Sequence, residues 1–373
     1  MNCPYKPAPA LHALNAAQSA DLAAMQAFYQ GLSSQTGCYP APDQSYWIAA
    51  EPSSVRRALM HLDLGVRPPG QAVPEHLLGS QLGGTFAQWL RMREDARHAP
   101  EKDALLTIFK TQTLKAESIE RSTRRQARQA LNLGWSHWQW ASLPATVGEL
   151  LGVAIHNPEA QQRLLQDLRA IARALQPLAE RQTIQAADQA CVALREALGS
   201  HTEAPLWKAL QAQSRVIADT HAQALSLLWQ SYEAGAALLG QALLTLELNS
   251  TLLLEDALTL LRQQSNDPGA FHHTRRWAQQ DCEVEGAFLK QGVAVLLLLV
   301  GDANDLAFGH GRHQCPGESL AMQIGACALQ EAQAFFQADR LALSPPTLLG
   351  FENLANARIP ILATPAAKKE DHS

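Results

Sequence analysis

Charge is scarce in this chain. Asp, Glu, Lys and Arg make up 17% of its 373 residues against 47% apolar ones, a balance that excludes a disordered polyelectrolyte and calls for extensive buried surface. The net charge of −5 carries no basic excess, so no nucleic-acid partner is expected. Long apolar runs are missing too. The longest, VAVLLLLV at 293–300, falls far short of the roughly 20 residues that cross a bilayer; it reads as a buried strand, and no membrane partner is expected. The cysteines at 3, 38, 191, 282, 315 and 327 have no regular spacing, and no charged, apolar and small-residue leader opens the chain, so a reducing cytoplasm is the expected setting. Repeats and low-complexity tracts are absent, which favours one domain over 1–373 with loose tails at 1–12 and 365–373.

What is present is mainly helical pattern. Apolar positions recur at helical spacing over about 14–36, YWIAA (46–50) reads as a short strand, and SSVRRALMHL as the helix after it. A loop over 67–74 leads into long helical stretches, broken by Pro and Gly at 133–148, 156–159 and 199–205. From 206 to 247 the chain has no proline and no glycine besides Gly235 and Gly240, so one or two long, buried helices are expected to cross the middle of the molecule. A helix over about 251–263, a small sheet within 281–299 turning at Gly292, and a last helix over about 316–337 complete a mainly α fold with a minor sheet.

The stretch LAFGHGRHQCPGESLA (306–321) sets one cysteine among glycines and histidines ahead of an apolar helix. Gly309 and Gly311 let the backbone turn tightly and approach a flat macrocycle. Gly317 and the following helix start offer N–H groups and positive dipole to the sulfur, and so predict a lowered thiol pKa for Cys315. A thiolate ligand pushes electron density onto a haem iron. Two other readings compete: a small buried core cysteine, and zinc held by His310, His313 and Cys315, although the paired clusters of structural zinc sites are missing.

This stretch resembles the cytochrome P450 signature F-G-x-G-x-[RH]-x-C-x-G, matched by Phe308, Gly309, Gly311, His313, Cys315 and Gly317. The resemblance implies a P450-like fold with a long central helix and a small β-sheet region, forming a single haem-thiolate domain. It also implies haem b as cofactor, with Cys315 as proximal iron ligand, Phe308 near the sulfur and His313 on a haem propionate. Upstream, RWAQQDCEVEGAFLKQGVAV (276–295) resembles the family's R-x-A-x-x-D-x-x-x-x-G-x-x-I-x-x-G-x-x-V with Leu289 for isoleucine, which implies Arg276 on a propionate. DARHAPEKDAL (95–105) resembles H-x-x-x-R, with His98 kept and Lys102 for arginine; a second register uses Trp89 and Arg93 as W-x-x-x-R. Which pair meets the propionate stays open.

EAGAALLGQALLTL (233–246) resembles the family's oxygen-binding helix around A-G-x-[DE]-T. Ala234 and Gly235 match, and the glycine is expected to let dioxygen or substrate lie close to the helix; Ala237 and Leu238 replace the acid and alcohol that deliver protons. LEDALTLLRQ (254–263) resembles the family's E-x-x-R helix with Thr259 for the glutamate, and the chain is short beside Asn304, where an arginine of the same buried network is expected. Losing several members of such a network together costs little, though Arg262 is then expected to find another partner. The resemblance implies a monooxygenase-type oxidoreductase acting on a small metabolite, in bacterial specialised biosynthesis, with electrons from a ferredoxin or flavodoxin and oxygen from dioxygen or peroxide. The lost relay predicts proton supply from ordered water or the substrate. A non-oxygenase haem enzyme and a haem-binding scaffold are the competing classes.

Overall fold

Side-chain caps set several helix starts. Glu51 accepts hydrogen bonds from the backbone N–H groups of Ser53 and Ser54 ahead of a helix that has Pro52 in its first turn, Asn157 does the same from Ala160, and Asp219 from Ala222. The structure, a computed structural model, describes residues 22–41, 45–110, 115–266, 270–299, 305–338, 344–354 and 357–363.

Along the chain α1 (Leu22–Ser33) precedes β1 (Cys38–Pro40) and β2 (Trp47–Ala49), then α2 (Pro52–Met60) and β3 (Leu64–Gly65). The helical half follows as α3 (Gln81–Phe86), α4 (His98–Lys110), α5 (Ala116–Leu131), α6 (Trp135–Leu150), α7 (Pro158–Ala174), α8 (Arg181–Ala197), α9 (Pro205–Ala212), α10 (Thr220–Thr245) and α11 (Leu254–Asn266). Then come β4 (His273–Ala278), β5 (Cys282–Val284), β6 (Ala287–Leu289), β7 (Ala294–Leu298), α12 (Glu318–Ala338), β8 (Leu348–Asn353) and β9 (Arg358–Leu362). The fold is mainly α, with α10 at its centre against α6, α11, α12 and β9.

The five-stranded sheet has the order β1-β2-β7-β4-β3, with β2 and β7 parallel and the other neighbours antiparallel. Val295 and Leu297 of β7 join one apolar cluster and Ala294, Leu296 and Leu298 join another. Burial on both faces explains why this strand reads as an unbroken apolar run rather than an alternation.

Several expectations need correction. The interruption predicted over 133–148 occurs only at its start, where Gly134 with φ of +96° separates α5 from α6; α6 then runs through Pro144, because packing between α5 and α10 outweighs the loss of one backbone donor. For 206–247 the two-helix alternative holds, as α9 and α10 on either side of residues 213–219. The region 281–299 does not form one sheet: β5 and β6 pair only with each other, while β7 joins the larger sheet. The hairpin β8–β9 was not foreseen. Thr259 and Arg262 of α11 are both exposed, so water solvates Arg262 and no substitute partner is required. Both proposed tails, residues 14–21 of the first helix and the shortened segment beside Asn304 lie outside the described residues. No described helix is long and apolar enough to cross a membrane.

Candidate functional site

The cysteine loop folds on its own backbone. The Cys315 N–H donates to the Phe308 carbonyl at 2.8 Å and the Gly309 N–H to that of Leu306 at 2.8 Å. Gly309 and Gly311 take φ of +75° and +69°, the left-handed region that favours glycine. Gly317 differs: its φ is ordinary, and an added Cβ would meet Phe109 Cζ at 3.9 Å and Cys315 Sγ at 4.0 Å. Protein packing alone does not require glycine there.

Cys315 faces a cavity of about 270 Å³ between this loop and α10. Phe308, Gly309, His313 and Gly317 line it beside the sulfur, and Ala234, Gly235 and Leu238 of α10 line it as well, whereas Ala237 is turned into the core. The thiol pKa is pushed up, not down as the sequence suggests: burial outweighs the Gly317 N–H and the charges of Arg91 and Lys102. His310, His313 and Cys315 do not come together as a metal cluster; the one such group among the described residues is His61, Asp63 and Cys282.

Basic side chains converge on the cavity. Arg276, on β4, donates to Thr274 Oγ1 at 3.1 Å and to the Arg275 carbonyl at 2.8 Å, and has no acidic partner among the described residues. Burial lowers its pKa to about 10. His98 and His313 lie with ring centroids 4.5 Å apart, and burial, with the His313 charge, brings His98 down to about 4. Lys102 shares the face of α4 with His98, but its ammonium already bonds the carbonyls of Arg312 and Gln314. Trp89 and Arg93 are placed otherwise. Trp89 is buried against Trp229, with ring centroids 4.8 Å apart, and Arg93 is buried on Glu101 at 3.0 Å and Asp95 at 2.5 Å.

Sequence reasoning missed three charged residues. Arg91 opens on the cavity and is exposed there, with Cys315 and Glu233 as its charged neighbours; in WLRMR it is the charge between Leu90 and Met92, a signal obscured by the motif that Trp89 and Arg93 form around it. Glu94 stands 2.9 Å from Arg312 and 3.2 Å from His313 Nε2; burial raises its pKa, but these neighbours and the Val66 N–H bring it below the usual range. Glu233, beside Ala234, is pushed up to about 7 by burial and by Glu352, against the pull of Arg91. A carboxyl raised on folding stabilises the protein below the unfolded carboxylate pKa, and that stabilisation is lost as pH rises toward about 7. Chemical denaturation should therefore show Glu233→Gln more stable than wild type by about 2 kcal/mol at pH 8, with the gap closing at pH 5.

No family model matches the chain, and no curated protein matches it. Solved structures do. Epothilone B-bound P450epoK aligns with 98% of this chain and 100% of its own at 18% identity and a TM-score of 0.69. P450BioI in complex with an acyl carrier protein ligated to hexadec-9Z-enoic acid covers 93% and 98% at 17% identity and 0.67. The chain has the cytochrome P450 fold. P450 RauA, complexed with a biosynthetic intermediate of aurachin RE, aligns similarly, over 94% of this chain and 98% of its own at 17% identity and 0.67. Across this P450 fold α10 is the long helix opposite the cysteine loop.

Gly235 has a packing reason of its own within that arrangement. A Cβ there would stand 2.8 Å from Leu143 Cβ on α6, so the glycine admits a neighbouring helix as well as bordering the cavity. Gly235→Ala should lower stability by about 1–3 kcal/mol in chemical denaturation, through overpacking at an atom fixed by the α6 backbone.

Proposed function

We propose that this chain is a haem-thiolate oxidoreductase of P450-like monooxygenase type that oxidises a small metabolite. The observation that carries this reading is Cys315 facing the cavity opposite α10, from a loop closed by its own backbone bonds. The donor set fits haem b. Gly317 leaves room over the sulfur that a flat macrocycle would take, and two propionates answer a wall that holds His98, Lys102, Arg276 and His313. Phe308, Gly309 and Gly311 complete the loop that presents Cys315. When bound, haem supplies an iron that activates dioxygen or peroxide for substrate oxidation.

The chain's own residues then do the following. Cys315 would hold the iron as a thiolate, its proton going to solvent, because a coordinating thiol is deprotonated outright despite the burial that raises its pKa when free. Arg276 and His313, which line the cavity, would hold the propionate edge of a bound haem. Leu143, Val147, Leu206 and Leu227 exclude water from the far wall, which strengthens the electrostatics inside. The stretch of α10 formed by Ala234, Gly235 and Leu238 carries neither acid nor alcohol, so ordered water or a group on the substrate delivers protons.

Electrons come from a ferredoxin or flavodoxin, or peroxide replaces them. The same missing relay favours peroxide-driven or non-oxidative chemistry as the second reading. Neighbours solved with epothilone B and with an aurachin RE intermediate support a place in specialised-metabolite biosynthesis.

Haemin titrated into the purified protein should bind one equivalent and give the spectrum of a thiolate-ligated complex; no uptake overturns the proposal. Substrate oxidation supported by hydrogen peroxide without a reductase selects the peroxide route, and a strict need for reduced ferredoxin selects dioxygen.

A further inference from the structure

We infer that His156 and His201 form a surface site for a zinc ion. His156 lies in the loop between α6 and α7 and His201 in the loop between α8 and α9, 45 residues apart, and both rings are exposed. Their Nε2 atoms face each other at 3.4 Å, with ring centroids 5.4 Å apart. An N–H···N bond of that length is weak and does not account for the pairing. Neither ring has another hydrogen bond or ion pair among the described residues, which leaves both nitrogens to a ligand. The backbone brings them together instead. The His201 N–H donates to the Gly152 carbonyl at 3.1 Å and the Gly199 N–H to that of Leu151 at 3.1 Å, and a Cβ on Gly152 would stand 2.7 Å from the His201 carbonyl oxygen. Beside His156, Gln126 Nε2 donates to the Ile155 carbonyl at 3.0 Å and Asn157 caps α7. Both histidines therefore project from backbone that is already fixed, and little backbone entropy remains to be lost on binding.

The separation points to the metal. Two imidazole nitrogens about 2.05 Å from a tetrahedral zinc lie about 3.35 Å apart, and their ring centroids about 5.2 Å apart. A square-planar ion such as copper(II) draws adjacent nitrogens to about 2.8 Å, and magnesium and calcium take oxygen donors. The pair as it stands fits the tetrahedral ion with neither loop displaced. No third His, Cys, Asp or Glu among the described residues joins it, so two positions on the ion are left to water and the ion exchanges with solvent. Its structural effect is that of a clip. Helices α7 and α8 pack along each other and are connected through residues 175–180 at one end; zinc connects them at the other, where α7 begins and α8 ends. No residue from 151 to 204 lines the cavity, so this site is separate from the cysteine loop and independent of the haem-thiolate reading.

The test titrates zinc chloride, with magnesium chloride as the control, into the reduced, chelator-stripped full chain by calorimetry. His61, Asp63 and Cys282 offer a second set of ligands, so the measure is the zinc equivalent lost in a variant rather than the total bound. His156→Ala and His201→Ala should each weaken one equivalent at least about tenfold, while His61→Ala keeps it. Both rings are exposed, so circular dichroism of the metal-free variants should match the wild type. Zinc should also slow amide hydrogen exchange in both loops, 152–157 and 199–204, of the wild type and in neither loop of either variant. Unchanged zinc binding in both variants, loss in one of them alone, loss in His61→Ala instead, or magnesium binding as tight as zinc would each overturn the site.

Discussion

Cys315→Ser should abolish the red-shifted Soret band of the reduced carbon monoxide complex, while the stability of the unloaded protein changes by less than about 1 kcal/mol. The two readouts separate because the sulfur does little for the fold. Its loop is closed by backbone bonds that serine keeps, Cys315 N–H to Phe308 and Gln314 N–H to Gly311, and the Gly317 N–H that points at Sγ finds a hydroxyl just as well. For the iron the exchange is drastic. A thiol raised by burial still ionises against a metal cation, whereas an alcohol ionises far less readily and is a weak donor. Spectra of the serine variant identical to the wild type would remove Cys315 from the site.

Arg93→Met should destabilise the protein by about 3–5 kcal/mol, and Arg93→Met combined with Glu101→Met should recover most of that loss. Glu101 has 1% of its side chain exposed and takes both of its Arg93 contacts at 3.0 Å, so removing the arginine alone strands a carboxylate inside the protein. Asp95, the other partner, is half exposed and returns to water at little cost. Removing both buried charges replaces an ion pair by apolar contact, which is often near neutral. Urea denaturation of the two single variants and the double variant checks this, and additive losses would contradict it. Of the two registers offered by the sequence, Arg93 is taken up by Glu101, whereas His98 on the first turn of α4 lines the cavity.

Local chemistry was legible where it was contiguous. The cysteine loop needs left-handed backbone at Gly309 and Gly311, and only glycine supplies it without strain, so the pattern survives in sequence. The long central helix shows itself by the near absence of Gly and Pro between 206 and 247, and β7 by an apolar run that burial on both faces demands. Pro144 misled for the opposite reason: a breaker acts on an isolated helix, and α6 is held on two sides. The thiol pKa misled because the helix start and its N–H groups can be read from sequence while burial cannot.

By itself the sequence determined the thiol, the glycines around it and the absence of acid and alcohol at Ala237 and Leu238, since each depends on residues within a few positions of one another. Only the tertiary structure decided which charges meet. Arg91 and Arg93 are two residues apart, yet one opens on the cavity and the other is locked to Glu101, and Arg262 goes to water. Those outcomes depend on how elements distant in the chain pack, and on the strong penalty for burying a charge without an opposite one.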